Sequence, residues 1–340
     1  MLRRKQVGVG LAGAAVLVAL TVAAIAATDR ASDEQVGAAA AARAVAASRA
    51  PGDVDGDGTT DLVVYRPSTS TFWVQASEDG EVALPLGAPG DAPAAGDFDG
   101  DGRVDLATVR PGAGGASSTW TIRSSDDGAE RIVRFGIRGD LPQAGDFDGD
   151  GTDDVAVFRP AVPEGFGDVE PRPNAVWFVL QSSDGEQAAV PFGLAGDAPV
   201  PGDYDGDGTT DLAVQRGDTR WILQSSDGAT VATRFGRAGD VPVAIDRDGD
   251  GRTDVAVVRD EGDTRVWYLH AGAGDAQQAI AFGRAGPPDQ QLLVGDFDGD
   301  GRSEPAVFDP SIESFWIWTP DEVLAERWGV AGDVVVPFRA

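Results

Sequence analysis

Short apolar runs separated by polar, glycine-rich turns fill residues 51–340. Typical runs are residues 154–158 (DVAVF), which follow an acidic loop, and residues 177–181 (WFVLQ), which precede a Ser-Ser-Asp-Gly turn. Apolar runs of this length, bounded by turn residues, indicate β-strands rather than helices. We therefore expect an all-β fold.

The same order of runs and turns recurs six times. Each unit has a first extended segment, an acidic loop, an apolar segment, a segment that carries a tryptophan and a last segment that ends in Phe-Gly. Residues 192–228 show the unit as FGLAGDAPVPGDYDGDGTTDLAVQRGDTRWILQSSDG. Four short antiparallel strands per unit, repeated at this spacing, predict a six-bladed β-propeller over residues 51–340.

The first unit lacks the segment that precedes its acidic loop. The C-terminal residues 327–340 (RWGVAGDVVVPFRA) repeat that segment, with Trp328 and Gly329 in place of Phe-Gly. We expect this sequence to supply the missing outer strand of the first blade and thereby close the ring.

The Phe-Gly pairs at 135–136, 192–193, 235–236 and 282–283, each with an Asp-x-Asp-Gly-Asp-Gly loop downstream, resemble FG-GAP/VCBS repeats. Such repeats build the propeller head of the integrin alpha subunit. The resemblance covers nearly all of residues 51–340 and implies an integrin-like propeller. It leaves the function open, because one fold can serve many functions.

The acidic loops follow the pattern DxDGDGxxD. Positions 1, 3, 5 and 9 offer carboxylate oxygens, position 7 can offer its carbonyl, and glycine at position 6 permits a sharp turn. The pattern matches the first nine positions of an EF-hand loop but lacks the glutamate at position 12. The predicted metal-binding residues are Asp53, Asp55, Asp57, Thr59, Asp61, Asp97, Asp99, Asp101, Arg103, Asp105, Asp146, Asp148, Asp150, Thr152, Asp154, Asp203, Asp205, Asp207, Thr209, Asp211, Asp246, Asp248, Asp250, Arg252, Asp254, Asp296, Asp298, Asp300, Arg302 and Glu304.

Oxygen-only ligands in an exported protein favour Ca²⁺ over zinc or copper, with up to six ions bound. A catalytic cluster would need carboxylates with separate roles beside a cleft, whereas four in one tight loop repel one another until a cation joins them. The alternative is an acidic turn that binds no metal. Loop 6 departs most from the pattern, because Glu304 stands at position 9 and Pro305 follows it.

The formal net charge is −29, and the six loops carry four acidic residues each at their repeated positions. Most of the excess negative charge therefore lies in the loops. This charge, with Lys5 as the only lysine, excludes nucleic acid as a partner. The absence of cysteine excludes disulfides, zinc thiolate sites and thiol catalysis.

The N-terminal residues 1–28 read as an export signal. Arg3, Arg4 and Lys5 precede an apolar run over residues 7–27, which is also long enough to remain as a transmembrane anchor. Basic residues before the run keep the N-terminus inside, so both alternatives place residues 51–340 outside the cytoplasm, secreted or anchored. Residues 29–50 are alanine-rich and are interpreted as a linker.

The end of each blade opposite the acidic loops carries a second repeated pattern. An arginine stands thirteen residues after the first aspartate in five units, and a Gly-Asp element precedes the loop in the same five units, with that of the first unit supplied by the C-terminal residues. We expect these residues to form salt bridges between blades rather than a ligand surface. The arginines are Arg66, Arg110, Arg159, Arg216 and Arg259, and the aspartates are Asp91, Asp140, Asp197, Asp240 and Asp333.

One tryptophan per blade falls on the third strand, and the repeat predicts a common register with packing between blades. These are Trp73, Trp120, Trp177, Trp221, Trp267 and Trp316. The insertion at residues 161–175 is the largest departure from the repeat, which makes it a candidate recognition loop or a tolerated insert.

The sequence favours a monomeric, non-catalytic, calcium-binding propeller that serves adhesion or recognition of an extracellular protein or glycan. It contacts the membrane only through its N-terminal segment. Two alternatives remain, a carbohydrate-active enzyme of the lyase or hydrolase type and a purely structural spacer.

Overall fold

Each apolar run that follows an acidic loop forms the second strand of a four-stranded antiparallel sheet. The computed structural model describes residues 50–76, 80–160, 175–270, 277–285 and 290–336. The N-terminal signal or anchor and most of the insertion at 161–175 lie outside these residues. No helix among the described residues is long and apolar enough to cross a membrane.

Six sheets of four strands make up the described structure, which confirms the predicted six-bladed propeller. The strands of blades 1 to 3 are β1 (Leu62–Arg66), β2 (Thr71–Ala76), β3 (Gly80–Pro85), β4 (Ala92–Gly96), β5 (Asp105–Arg110), β6 (Thr119–Arg123), β7 (Glu130–Arg134), β8 (Leu141–Gly145), β9 (Asp154–Arg159), β10 (Val176–Leu180) and β11 (Gln187–Pro191). Those of blades 4 to 6 are β12 (Ala198–Pro199), β13 (Leu212–Arg216), β14 (Thr219–Leu223), β15 (Thr230–Arg234), β16 (Val241–Ile245), β17 (Asp254–Glu261), β18 (Thr264–His270), β19 (Gln278–Arg284), β20 (Gln291–Gly295), β21 (Glu304–Asp309), β22 (Ser314–Trp318) and β23 (Val323–Glu326).

The C-terminal strand β24 (Val334–Val335) completes blade 1 by pairing antiparallel with β1. It takes the first position of the sheet order β24-β1-β2-β3. The first strands of neighbouring blades contact one another, whereas the fourth strands β3 and β7 are mostly exposed. The expectation of an outer closing strand was therefore wrong, because the first strand of each blade is its inner strand.

The core lies between blades rather than within them. One cluster packs Val109 and Trp120 of blade 2 against Val155 and Val157 of blade 3. Another packs Trp267 and Leu269 of blade 5 with Val307 of blade 6. The seam between the last and first blades has the same character, since Phe308 and Phe315 share a cluster with Val64 and Val335. Burial of both faces of a sheet explains why the second strands are continuously apolar.

Candidate metal centres

Each acidic loop connects the first and second strands of its blade and folds around its first aspartate. In loop 2, Asp97 Oδ1 accepts hydrogen bonds from the backbone N–H groups of Gly100 at 2.7 Å and Asp101 at 3.1 Å. Its Oδ2 accepts from Gly102 at 3.0 Å. Gly100 and Gly102 have φ values of 77° and 96°, which side chains other than glycine rarely tolerate. The glycines at positions 4 and 6 therefore let the chain wrap this carboxylate.

The ninth position holds the loop to the rest of the blade. Asp105 Oδ2 accepts from the N–H of Phe98 at 3.1 Å, and its Oδ1 accepts from the N–H of Ser125 in the β6–β7 turn at 2.8 Å. The same two contacts recur in blades 3 and 4, with Ser182 and Ser225 as the donors from the turn. The predicted sharing of one end of the blade by the acidic loop and this turn is confirmed.

Serine side chains of these turns also reach the carboxylates, a contact that the sequence analysis missed. Ser124 Oγ donates to Asp99 Oδ2 at 2.8 Å, and Ser183 Oγ donates to Asp148 Oδ2 at 2.6 Å. The repeated Ser-Ser-Asp-Gly sequence was the available signal, although it was interpreted only as a turn.

The loops bring three carboxylates together within one ligand sphere. In loops 1, 2 and 5 these are positions 1, 3 and 5, and in loops 3 and 4 they are positions 1, 3 and 9. Within each group the candidate ligand atoms lie within 4.8 Å of one another. The groups are Asp53, Asp55 and Asp57; Asp97, Asp99 and Asp101; Asp146, Asp148 and Asp154; Asp203, Asp205 and Asp211; and Asp246, Asp248 and Asp250.

Burial and mutual repulsion disfavour the ionised form of these carboxylates when no cation is bound. Burial, reinforced by Asp99 and Asp97 and opposed by its backbone hydrogen bonds, raises the pKa of Asp105 to about 7. Burial raises the pKa of Asp154 to about 7 in the same way. It also raises the pKa of Asp146 and Asp211 to about 6. A bound cation would reverse this effect by stabilising the charged form.

Loop 6 differs at its ninth position, as the sequence indicated. Glu304 Oε2 accepts from the N–H of Phe297 at 3.1 Å, and Glu304 Oε1 is buried without a hydrogen bond. Arg247 of loop 5 lies nearby, with its Nη1 at 3.5 Å from Oε1. Burial raises the pKa of Glu304 to about 8 despite this arginine. The longer side chain thus places a carboxylate oxygen at the blade 5–6 interface.

Side chains at position 7 lie against the loop of the neighbouring blade. A Cβ built on Gly56 of loop 1 would lie 2.6 Å from Arg103 Nε, and one built on Gly206 of loop 4 would lie 2.7 Å from Arg252 Nε. A Cβ on Gly100 of loop 2 would instead meet Thr152 Oγ1, also at 2.7 Å. Some loops therefore have an arginine beside them where others have a threonine.

A closed ring of backbone hydrogen bonds joins the six loops. In every loop the N–H at position 8 donates to the carbonyl oxygen of the first aspartate in the preceding blade, with N···O distances from 2.6 to 2.8 Å. The bonds run from Val104 to Asp53, Asp153 to Asp97, Thr210 to Asp146, Thr253 to Asp203, Ser303 to Asp246 and Thr60 to Asp296. No loop is therefore structurally independent of its neighbours.

The arginine and aspartate series pair at the opposite end of the blades. Arg159 Nε and Nη2 donate to the two carboxylate oxygens of Asp140 at 2.7 and 2.8 Å, and Arg66 bonds Asp333 in the same way. Each pair joins the end of the second strand to the connection just before the first strand of the same blade. The expectation of bridges between blades was wrong, because the connection turns back within one sheet. In blade 6, Gln290 Nε2 donates to Asp309 at 2.8 Å in place of the ion pair.

The third-strand tryptophans occupy two registers rather than one. In three blades the tryptophan comes immediately after the third-strand residue that pairs with the arginine; these are Trp120, Trp177 and Trp267. All three are fully buried between blades, so the predicted packing role is confirmed for them. Trp73, Trp221 and Trp316 lie one residue further on and face the other side of the blade. There Trp73 and Trp221 are partly buried and also pack against clusters shared by two blades. Phe72, Arg220 and Phe315 fill the buried register in these blades.

Residues 46–108 and 246–306 match a family model described as an FG-GAP-like repeat. The chain carries FG-GAP-like repeats. The matched segments contain loops 1, 2, 5 and 6, and the hydrogen bonds above show that loops 3 and 4 fold alike. No curated protein matches the chain by sequence.

Several solved structures align with the FG-GAP-like propeller at low identity. A protein of unknown function from Bacteroides caccae is 10% identical over 82% of this chain and 97% of that chain, with a TM-score of 0.40. A putative 6-phosphogluconolactonase from Bacteroides fragilis is 13% identical, covers 83% and 96% of the two chains and has a TM-score of 0.43. Rhamnogalacturonan lyase YesW is 14% identical over 70% and 68%, with a TM-score of 0.33. No functional conclusion follows from likeness at this level.

Proposed function

We propose that this FG-GAP-like propeller is an exported, calcium-stabilised recognition domain that binds a protein or glycan outside the cell and is not an enzyme. The observation that carries the calcium role is the convergence of three carboxylates in each of five loops, within 4.8 Å of one another.

The donor set fits calcium on chemical grounds. Every candidate ligand atom is a carboxylate or carbonyl oxygen, and calcium prefers six to eight such ligands in a flexible arrangement. Burial, reinforced by the neighbouring carboxylates, raises the pKa of Asp105 and Asp154, so a cation is needed to keep these groups ionised at neutral pH. Magnesium demands a stricter octahedral geometry and is the less suitable ion for these loops.

Calcium would act here as a structural tie. The ninth-position aspartate contacts both its own loop, between the first and second strands, and the turn between the third and fourth strands, so a cation at that carboxylate would tie these two connections of one blade together. The ring of backbone bonds passes this stabilisation to both neighbours. A chain without cysteine has this route to stability where other exported domains use disulfides.

The export part of the proposal rests on the basic and apolar N-terminal sequence, and the recognition part on the propeller surface. Propellers present connecting loops on two open faces, and the acidic loops take up one of them. Recognition is then expected on the face that holds the Arg159–Asp140 type of pair, where the insertion at 161–175 also joins the second and third strands.

The test is direct calcium measurement on the full chain, followed by ligand screening. Isothermal titration of the metal-stripped protein should show several calcium sites with weaker magnesium binding. A glycan array and protein pull-down with calcium should then give a ligand that is lost after deletion of residues 161–174. Absence of calcium binding overturns the structural role, and absence of any ligand overturns the recognition role.

A further inference from the structure

In four blades, an arginine covers an aromatic ring on the third strand. The guanidinium carbon lies 4.6 Å from the ring centroid of Trp73 for Arg66 and 4.3 Å from that of Phe178 for Arg159. Arg216 covers Trp221 at 5.5 Å, and Arg259 covers Tyr268 at 4.5 Å. Each of these arginines also forms the two-bonded pair with its aspartate. The arrangement is a cation–π contact held in place by a carboxylate.

Blade 6 keeps the aromatic ring and lacks the arginine. Asp309 pairs with Ser314 across the sheet as Arg66 pairs with Thr71, so Trp316 occupies the position of Trp73. Asp309 therefore stands where the arginine would be. Trp316 is 39% exposed, which makes it the most exposed of the eight tryptophans, all of which lie in the described part of the chain.

The charge beside this ring is also reversed. Asp309 is 1% exposed, and its carboxylate accepts from Ser311 Oγ at 2.5 Å, Gln290 Nε2 at 2.8 Å and Ser311 N–H at 3.0 Å. Burial favours the neutral form, but these hydrogen bonds outweigh it and lower the pKa of Asp309. Among the described residues Asp309 forms no ion pair, and Arg284 acts on it only at longer range. A negative charge thus stands at the strand position that carries the arginine in the other blades, diagonal in the sheet to the exposed Trp316.

We propose that Trp316 and Asp309 form a binding site for an arginine side chain of a protein partner. The site rests on the proposed recognition function and narrows its ligand to a protein with an exposed arginine. The planar guanidinium would lie on the indole as Arg66 lies on Trp73, with the Asp309 carboxylate supplying the negative potential. Arginine suits this site better than lysine, because its flat, weakly hydrated cation stacks on an aromatic face.

The test observes Trp316 in the full chain labelled with 5-fluorotryptophan. Its ¹⁹F resonance is identified as the one missing from the W316F variant. Titration with N-acetyl-arginine methylamide should move this resonance with a dissociation constant of about 0.1 M or weaker, because one exposed cation–π contact contributes about 0.5–1 kcal/mol. N-acetyl-citrulline methylamide, which has nearly the same shape without the charge, should leave it unmoved.

Two controls separate the site from general effects. Trp221 is covered by Arg216, so its resonance should stay in place during the same titration. The double variant D309R/Q290D restores the pair found in the other blades and should weaken the response at least about tenfold, because the chain's own guanidinium then covers Trp316. Equal shifts with citrulline, equal shifts of Trp221, or an undiminished response in the double variant would each overturn the proposal.

A shift of Trp316 by methyl β-glucoside and not by the arginine compound would also overturn it and would indicate a glycan instead. Calcium-dependent melting of the same sample reports separately on the proposed structural role. A chain that melts higher with calcium and shows no arginine response loses this site and keeps that role.

Discussion

The N–H of Thr60 donates to the carbonyl oxygen of Asp296 at 2.7 Å, and this bond joins the first acidic loop to the last. It completes a ring in which every loop donates to the loop before it. A metal ion bound at one loop would therefore stabilise a network rather than a single turn.

Removal of calcium should lower the melting temperature in one cooperative transition. With a dissociation constant of about 0.1 mM and about 1 mM calcium, each filled site adds about 1.4 kcal/mol to the free energy of unfolding. Six sites together correspond to a shift of about 15 °C for a domain of this size. Calorimetry in calcium, in magnesium and in EDTA measures it, and an identical melt in all three contradicts the calcium role.

The stability of the metal-free protein should fall as pH rises from about 4 to about 8. Burial raises the pKa of Asp105 and Asp154 to about 7 and that of Glu304 to about 8 in the folded state. Their protonated forms therefore stabilise the fold below the unfolded pKa, and this contribution is lost as pH rises through the folded values.

Saturating calcium should reverse that dependence, because the ion requires ionised carboxylates. Urea unfolding at pH 5 and pH 8, with EDTA or with calcium, provides the four measurements. A metal-free protein that is more stable at pH 8 than at pH 5 would show that these carboxylates are not buried as described.

Replacement of Arg103 by threonine should strengthen calcium binding at loop 1. Its guanidinium lies against Gly56, so it repels a cation in that loop, whereas loop 2 has Thr152 in the equivalent place. Loss of one positive charge at this range corresponds to about two- to tenfold in affinity at low salt. Calcium titration of R103T measures it, with R134T as the control, since Arg134 is exposed at the far end of β7. Equal changes in both variants would indicate only net charge.

Loss of Arg159 should cost more stability than loss of Arg110. Both arginines bond a carboxylate whose side chain is 3% exposed, but the Arg159 side chain is 20% exposed and the Arg110 side chain 55%. Arg159 also covers Phe178. We expect R159Q to lower the free energy of unfolding by about 2 kcal/mol and R110Q by about 1 kcal/mol. Urea unfolding of the two variants measures both losses of unfolding free energy. A larger loss for R110Q than for R159Q would show that the covered ring contributes nothing.

Val336 should matter for closure of the ring and Val334 should not. Val336 is fully buried against blade 1, with its N–H donating to the carbonyl of Val63 at 3.2 Å, while Val334 is 37% exposed. V336A is expected to lose about 2 kcal/mol of unfolding free energy and V334A less than about 0.5 kcal/mol. Chemical denaturation of the two variants tests this, and similar losses would contradict closure through this segment.

The sequence predicted what its local pattern encodes. The loops, the four strands per unit and the shared end of loop and turn follow from residues that lie near one another in the chain, such as Asp97 and Asp105. The bond from Thr60 to Asp296 could not be predicted, because it joins backbone groups that carry no side-chain signal.

The two registers of the third strand were missed for another reason. The turn between the second and third strands varies in length, so Trp73 and Trp120 occupy similar places in the repeat and yet differ by one residue in strand pairing. A shift of one residue in a strand moves a side chain to the other face.

The six hydrogen bonds between the acidic loops form a closed ring, so none of them is the first or the last. Every link uses the same two positions, so a chain that began at another acidic loop, with residue 340 joined to residue 51, would keep all six links. The seam at Thr60 and Asp296 is then equivalent to every other boundary between blades. In this propeller, the order of the blades along the gene and the order in which they support one another are separate properties.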